Sequence, residues 1–353
     1  MAENEQADAI TVPQGVHLVG SVPLRDAQEV FRMAGATLGG RLRRIPDGET
    51  GVRSNWISWQ IEFLGRSPQV EVIPPDPNAY APHPSATVRP DVSPDEIGFE
   101  NLGYADAALA SYQIYSRLKV EGAVPANVRF QVSLPTPIAT VAAFFPPQNQ
   151  AAVEPAYERA ILRELSAIAG AIPHEELAIQ WDVAVEFGIL EGAFPSFLSG
   201  RADAMEQLVG RLVRLGNQVS ADVQLGYHLC YGDAGHKHFK EPEDTAKLVA
   251  VANAVSAGVT RTINWIHLPV PRDRTDDAYF APLRDLKLHP ETELYLGLVH
   301  LHDGPEGAKR RIAAARRAVT DFGVATECGM GRRPPETIPA LLRIHSEVAD
   351  PVA

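Results

Sequence analysis

Residues 225–233 read LGYHLCYGD. Leu225, Tyr227 and Leu229 alternate with Gly226, His228 and Cys230, the two-residue period of a β-strand, so His228 and Cys230 share one face at its end. One of the chain's two cysteines therefore stands beside a histidine on a rigid element, which is how a zinc site begins. The other, Cys328, lies in VATECGMGRRP, again where an apolar run meets glycines. The pattern calls for a fold that brings these two strand ends together.

Working outward, strand-like runs recur at 16–23, 43–49, 128–134, 177–185, 222–230, 261–270, 293–301 and 324–328, each followed by a helical pattern. Asp26 is placed to cap the first helix, through about Leu38; 55–64, 105–119, 152–171, 202–215, 242–256, 307–322 and 336–348 read as further helices. Strands alternating with helices in one composition regime predict a single α/β domain, a (β/α)8 TIM barrel over residues 1–353. Residues 1–14 read as a flexible tail. Residues 66–100, with prolines crowded between Pro68 and Pro94, read as a long irregular insertion after the second β/α unit and a candidate lid.

The strand ends collect the unusual residues: Ser21, Asp47, Glu49, Asp182, Glu186, His228, Cys230, His267, His300, His302 and Cys328. A TIM barrel places its chemistry at that rim. A net charge of −12 argues against nucleic acid or an anionic membrane as the main partner. Apolar runs are too short to span a bilayer, the acidic start MAENEQADAI shows no signal pattern, and two cysteines cannot build a disulfide framework. The expected compartment is the cytoplasm.

These residues resemble the C-terminal catalytic barrel of cobalamin-independent methionine synthase, within the superfamily it shares with uroporphyrinogen decarboxylase. Val19-Gly20-Ser21-Val22-Pro23 resembles the family's opening strand, and Gly48-Glu49 with Arg53 and Phe63 its next one. Gln180-x-Asp182 is similar to its Gln-Ile-Asp, His228-x-Cys230 to its zinc motif, and Cys328-Gly329 to its Asp-Cys-Gly. The family's glutamate ligand has His267 in its place, and His302 in HLHDGPEG falls where the family carries an acidic histidine.

The resemblance implies a zinc-dependent methyl- or alkyltransferase. Its metal set would be His228, Cys230, His267 and Cys328, and its substrate-binding set Val19, Ser21, Glu49 and Asp182. His302 would protonate the leaving group. The acceptor would be a small-molecule thiol resembling homocysteine; the carbon donor would be a folate, a corrinoid protein or another electrophile. Packed histidines and buried thiols are the competing account of the metal set, and pairing with Arg43, Arg44 or Arg53 that of the carboxylates. Arg332 and Arg333 read as a solvated loop, with a hold on an anionic donor or substrate as the alternative, and the basic face Lys309–Arg317 reads as solvated outer surface. Two other functions fit the same fold: a metal-free decarboxylase or lyase, and a barrel that only binds.

Overall fold

The computed structural model describes residues 12–75, 83–233 and 237–352. Its strands are β1 (Val16–His17), β2 (Arg44–Pro46), β3 (Val70–Ile73), β4 (Ser85–Val88), β5 (Arg129–Pro135), β6 (Leu177–Val183), β7 (Gln224–Leu229), β8 (Trp265–Pro269), β9 (Glu293–Val299) and β10 (Gly323–Thr326). Eight of them form one parallel sheet in the order β1-β10-β9-β8-β7-β6-β5-β2. A parallel bridge between Val16 and Leu42 brings its two ends together. The sheet is thus a nearly closed barrel ringed by helices, the TIM-barrel-like fold that the alternation predicts.

Strands of such a barrel are covered on both faces, which explains why all seven residues of β6 (LAIQWDV) are buried. Outward side chains meet the helices: the Tyr227 hydroxyl donates to the Leu212 carbonyl at 2.9 Å, on the helix Ala204–Asn217. Inward side chains are unusually polar. At the N-terminal mouth, Arg43 and Arg44 each hold Glu293 at 2.7 Å, and the Arg44 guanidinium lies 4.2 Å over the Trp265 ring. One layer up, His17 Nε2 meets Gln180 Oε1 at 2.9 Å, and the Gln180 amide donates to the Val19 carbonyl at 2.6 Å and to Asp182 Oδ1 at 2.8 Å. Gln131 donates to the carbonyls of Leu18 and Val19. Because Trp265 fills the axis, its neighbour in register, Gly226, has no room for a side chain: a Cβ there would lie 2.0 Å from the indole.

Several local expectations change. Asp26 does cap the helix Ala27–Leu38, accepting from the Glu29 amide at 2.9 Å. The helix read at 55–64 is only Gln60–Leu64, preceded by turns. The helix read at 307–322 is Gly304–Ala315. An extra helix, Pro137–Phe144, is capped by Thr136. The insertion is not wholly irregular: β3 and β4 pair as an antiparallel hairpin, and Thr87 donates to Asn149 on the helix Pro147–Ala171. Its residues 76–82, and residues 1–11 of the expected tail, lie outside the described residues. The rest of the tail is docked, since Pro13 O accepts from the Asp350 amide at 2.8 Å and the Gly15 amide donates to Asp350 O at 2.9 Å.

Replacing Gly226 by Ala should force Trp265 out of its place on the axis and cost about 1–3 kcal/mol of stability, read by urea unfolding. Unchanged stability would show that Trp265 yields without penalty.

Candidate functional site

A cavity of about 260 Å³ opens at the C-terminal mouth of the barrel. Val19, Ser21, Glu49, Asp182, His228, Cys230 and Cys328, all singled out from sequence, line it. They come from the ends of five strands, β1, β2, β6, β7 and β10, or from the loops directly after them, where parallel strands converge.

On one wall, Cys230 Sγ and Cys328 Sγ are 3.6 Å apart, and Cys328 Sγ is 3.6 Å from His228 Nε2. One donor atom from each lies within 4.8 Å of the others, and among the described residues this is the one group so arranged for a metal ion. Two sulfurs bound tetrahedrally to zinc at about 2.3 Å each stand about 3.8 Å apart, close to the 3.6 Å found here. The protonation states fit as well. Burial, then the nearby His267, drive the His228 pKa well below its ordinary value, so the imidazole is neutral and offers a lone pair. The Cys328 contact and burial raise the Cys230 thiol well above its usual range. A dication supplies the compensation that two adjoining thiolates need.

His267 is not one of this trio. It is fully buried at the register position beside His228, with its Nδ1 2.7 Å from His228 Nδ1 and its Nε2 3.0 Å from the Thr326 carbonyl. Burial pushes its pKa down to about 3. The inward face expected for it is correct, but it stands behind His228.

Across the cavity stand Glu49 and Asp182. Neither has an ion pair among the described residues: Arg53 pairs with Asp47 at 2.6 Å, and Arg43 and Arg44 face the opposite end of the barrel. Burial and then the charge of Asp182 push Glu49 up to about 8; burial pushes Asp182 to about 7, against hydrogen bonds from Gln180 and the Trp56 indole. Glu49 also has a left-handed backbone, φ 46°. Asp47 holds that turn, accepting from the Glu49 amide at 2.8 Å, from Arg53 and from the Ser111 hydroxyl at 2.7 Å. Ser21 packs against the loop after Cys328: the Gly331 amide donates to its hydroxyl at 3.2 Å, and a Cβ on Gly329 would lie 2.4 Å from that oxygen. The glycines of CGMG permit this approach.

His302, expected as the acid, is exposed and is not part of the cavity lining. His300 is buried, its Nε2 2.9 Å from the Val270 carbonyl. The histidine that lines the cavity beside His228 is His238. Burial opposes its protonation, but Glu327 at 2.7 Å and Glu241 at 3.0 Å outweigh this and raise its pKa. Sequence reading passed over it, as it did Trp56, Phe194 and Phe239, which complete the lining with Lys237 and Arg332 among others. The available signal was position: residues 237–239 lie in the loop after β7, on the rim that carries function in this fold. No described residue of the insertion at 66–100 lines the cavity. Among the described residues no helix is long and apolar enough to cross a membrane.

No protein-family model matches the chain, and a search of curated proteins finds no match. Solved structures do resemble it in fold. A Listeria monocytogenes protein assigned as a vitamin-B12 independent methionine synthase superimposes with a TM-score of 0.58 at 16% identity, over 96% of this chain and 97% of that one. A B12-independent methionine synthase from Shewanella sp. W3-18-1, in complex with selenomethionine, gives 0.61 at 14% identity over 95% and 96%. A methyltransferase from Methanosarcina mazei gives 0.54 at 13% identity over 95% and 94%. At these identities the likeness is one of fold.

With both pKa values above those of the unfolded chain, the folded protein binds more protons than the unfolded one between about pH 4 and pH 8, so stability falls as pH rises through that window. Glu49→Gln should flatten this slope in denaturant unfolding. A slope identical to wild type would mean that Glu49 titrates like an exposed carboxyl.

Proposed function

We propose that this protein is a zinc-dependent transferase that moves a methyl or alkyl group to the sulfur of an amino-acid thiol resembling homocysteine. The observation that carries the reading is one cavity holding both the His228, Cys230, Cys328 trio and the unpaired Glu49, Asp182 carboxylates. His228, Cys230 and Cys328 would hold a zinc ion, whose charge would lower the pKa of the acceptor thiol and favour its thiolate at neutral pH.

The chain's own groups do the rest. Glu49 and Asp182 release their protons to solvent and accept charge-assisted hydrogen bonds from the substrate ammonium. Trp56 and Gln180 aim Asp182, and the Asp47 turn aims Glu49. Ser21, beside the amides of the CGMG loop, faces the substrate carboxylate. With both ends of the acceptor held, its sulfur has one direction of approach, and the reaction is effectively intramolecular. Phe194 and Phe239, whose ring centroids are 5.1 Å apart, form an apolar wall for the carbon donor and exclude water. His238, whose protonated form Glu327 and Glu241 favour, supplies a proton to the leaving group, the task expected of His302. The donor class stays as broad as folate, corrinoid protein or another electrophile. A neighbour of like fold binds selenomethionine, an amino acid with a methylated chalcogen, which is the product class this reading requires.

Purified protein should carry close to one zinc per chain by elemental analysis, lost in Cys230→Ser and Cys328→Ser with the fold intact by circular dichroism. Full transferase activity without metal would overturn the proposal, and unfolding of both variants in excess zinc would make the site structural. Homocysteine should raise the melting temperature of the zinc-loaded protein, and Glu49→Gln should abolish the shift. A thiol without an amine that stabilises the protein more strongly would refute the aminothiol assignment.

A further inference from the structure

His228 can bind a metal through Nε2 only if that nitrogen is bare, and a neutral imidazole carries its proton on either nitrogen. Three contacts decide which. The Thr326 carbonyl, 3.0 Å from His267 Nε2, can only accept, so His267 carries its proton on Nε2. His267 is fully buried with no ion pair among the described residues, so its ring carries a single proton and its Nδ1 is bare. That Nδ1, 2.7 Å from His228 Nδ1, can therefore only accept, and His228 must donate from Nδ1. His228 Nε2 is then the lone-pair nitrogen, turned to Cys328 Sγ at 3.6 Å.

We propose that His267 is a positioning residue: through the relay Thr326 O, His267, His228 it holds His228 in the tautomer, and at the ring angle, that presents Nε2 to the ion. The proposal rests on the metal reading above. Register makes the contact: His228 and His267 are Cα partners on β7 and β8, so both rings enter the axis at one level, 4.7 Å between centroids. The relay also ties two ligand-bearing strands together, since Thr326 ends β10 two residues before Cys328 and its hydroxyl donates to the Cys328 carbonyl at 2.7 Å. The His267 ring spends both nitrogens on this alignment.

Glutamine can repeat both hydrogen bonds, its amide NH2 donating to Thr326 and its carbonyl accepting from His228; leucine fills similar space and makes neither. In chelator competition with zinc alone, His267→Leu should bind about 10- to 100-fold more weakly than wild type, and His267→Gln within a few fold of it. Leucine as tight as wild type, or glutamine as weak as leucine, would overturn the proposal. So would a second imidazole in the zinc-edge X-ray absorption spectrum that disappears in His267→Gln, because His267 would then be a ligand. In metal-free wild-type protein, 15N ring correlations should show His228 protonated on Nδ1; protonation on Nε2 overturns the relay. That measurement decides the matter if His267→Leu does not fold. It also separates the two ideas: wild type without stoichiometric zinc ends the metal reading, while the tautomer still tests the relay.

Discussion

Polar groups buried along the axis of a barrel must satisfy one another, and this constraint organises the molecule from mouth to mouth. Arg44 and Glu293 pair at the bottom, His17 and Gln180 join in the middle, and Gln180 reaches Asp182 at the top. Most such axes are filled with branched apolar side chains. An unpaired polar group here would cost about 1–3 kcal/mol, so the network tolerates few alternative arrangements. The rigidity is inherited by the residues above it. His228 and Asp182 are register partners on adjacent strands, and their side chains start from a layer that cannot shift independently.

The same burial sets the chemistry on the two sides of the cavity in opposite ways. It drives the pKa of the His228 and His267 imidazoles down, which favours the neutral form that the proposed ligand and positioning roles need. It makes Glu49 and Asp182 hold protons that exposed carboxyls release. The left-handed backbone at Glu49 belongs to this picture, because strain of about 1–3 kcal/mol at such a residue persists only where its surroundings dictate it. Asp47, Arg53 and Ser111 supply that dictation.

The eight-stranded barrel was legible because hydrophobic periodicity is local: each strand and each helix carries its own pattern, and alternation leaves few topologies. The cavity was legible in outline for a related reason. Ser21, Glu49, Asp182, His228, Cys230 and Cys328 are unusual residues at strand ends, and the barrel collects strand ends at one rim. The hairpin β3–β4 was hidden by the prolines around it, since its pairing depends on contacts such as that of Thr87 with Asn149. His238 was hidden because a loop has no period, so nothing in its own residues says where the chain turns back.

The sequence by itself determined the eight strands of the barrel, the inward face of His228, Cys230 and His267, and the kinds of atoms available at the rim. Only the tertiary structure decided which of those atoms meet. The period of a strand says which face a side chain takes, and His267 is on the face expected of it. The relative height of two strands, and so whether a ring nitrogen meets an ion or a neighbouring ring, follows from register and from where the Thr326 carbonyl lies. Register is a property of the closed sheet, whereas His302 lies in the turn after β9, exposed and outside the cavity lining.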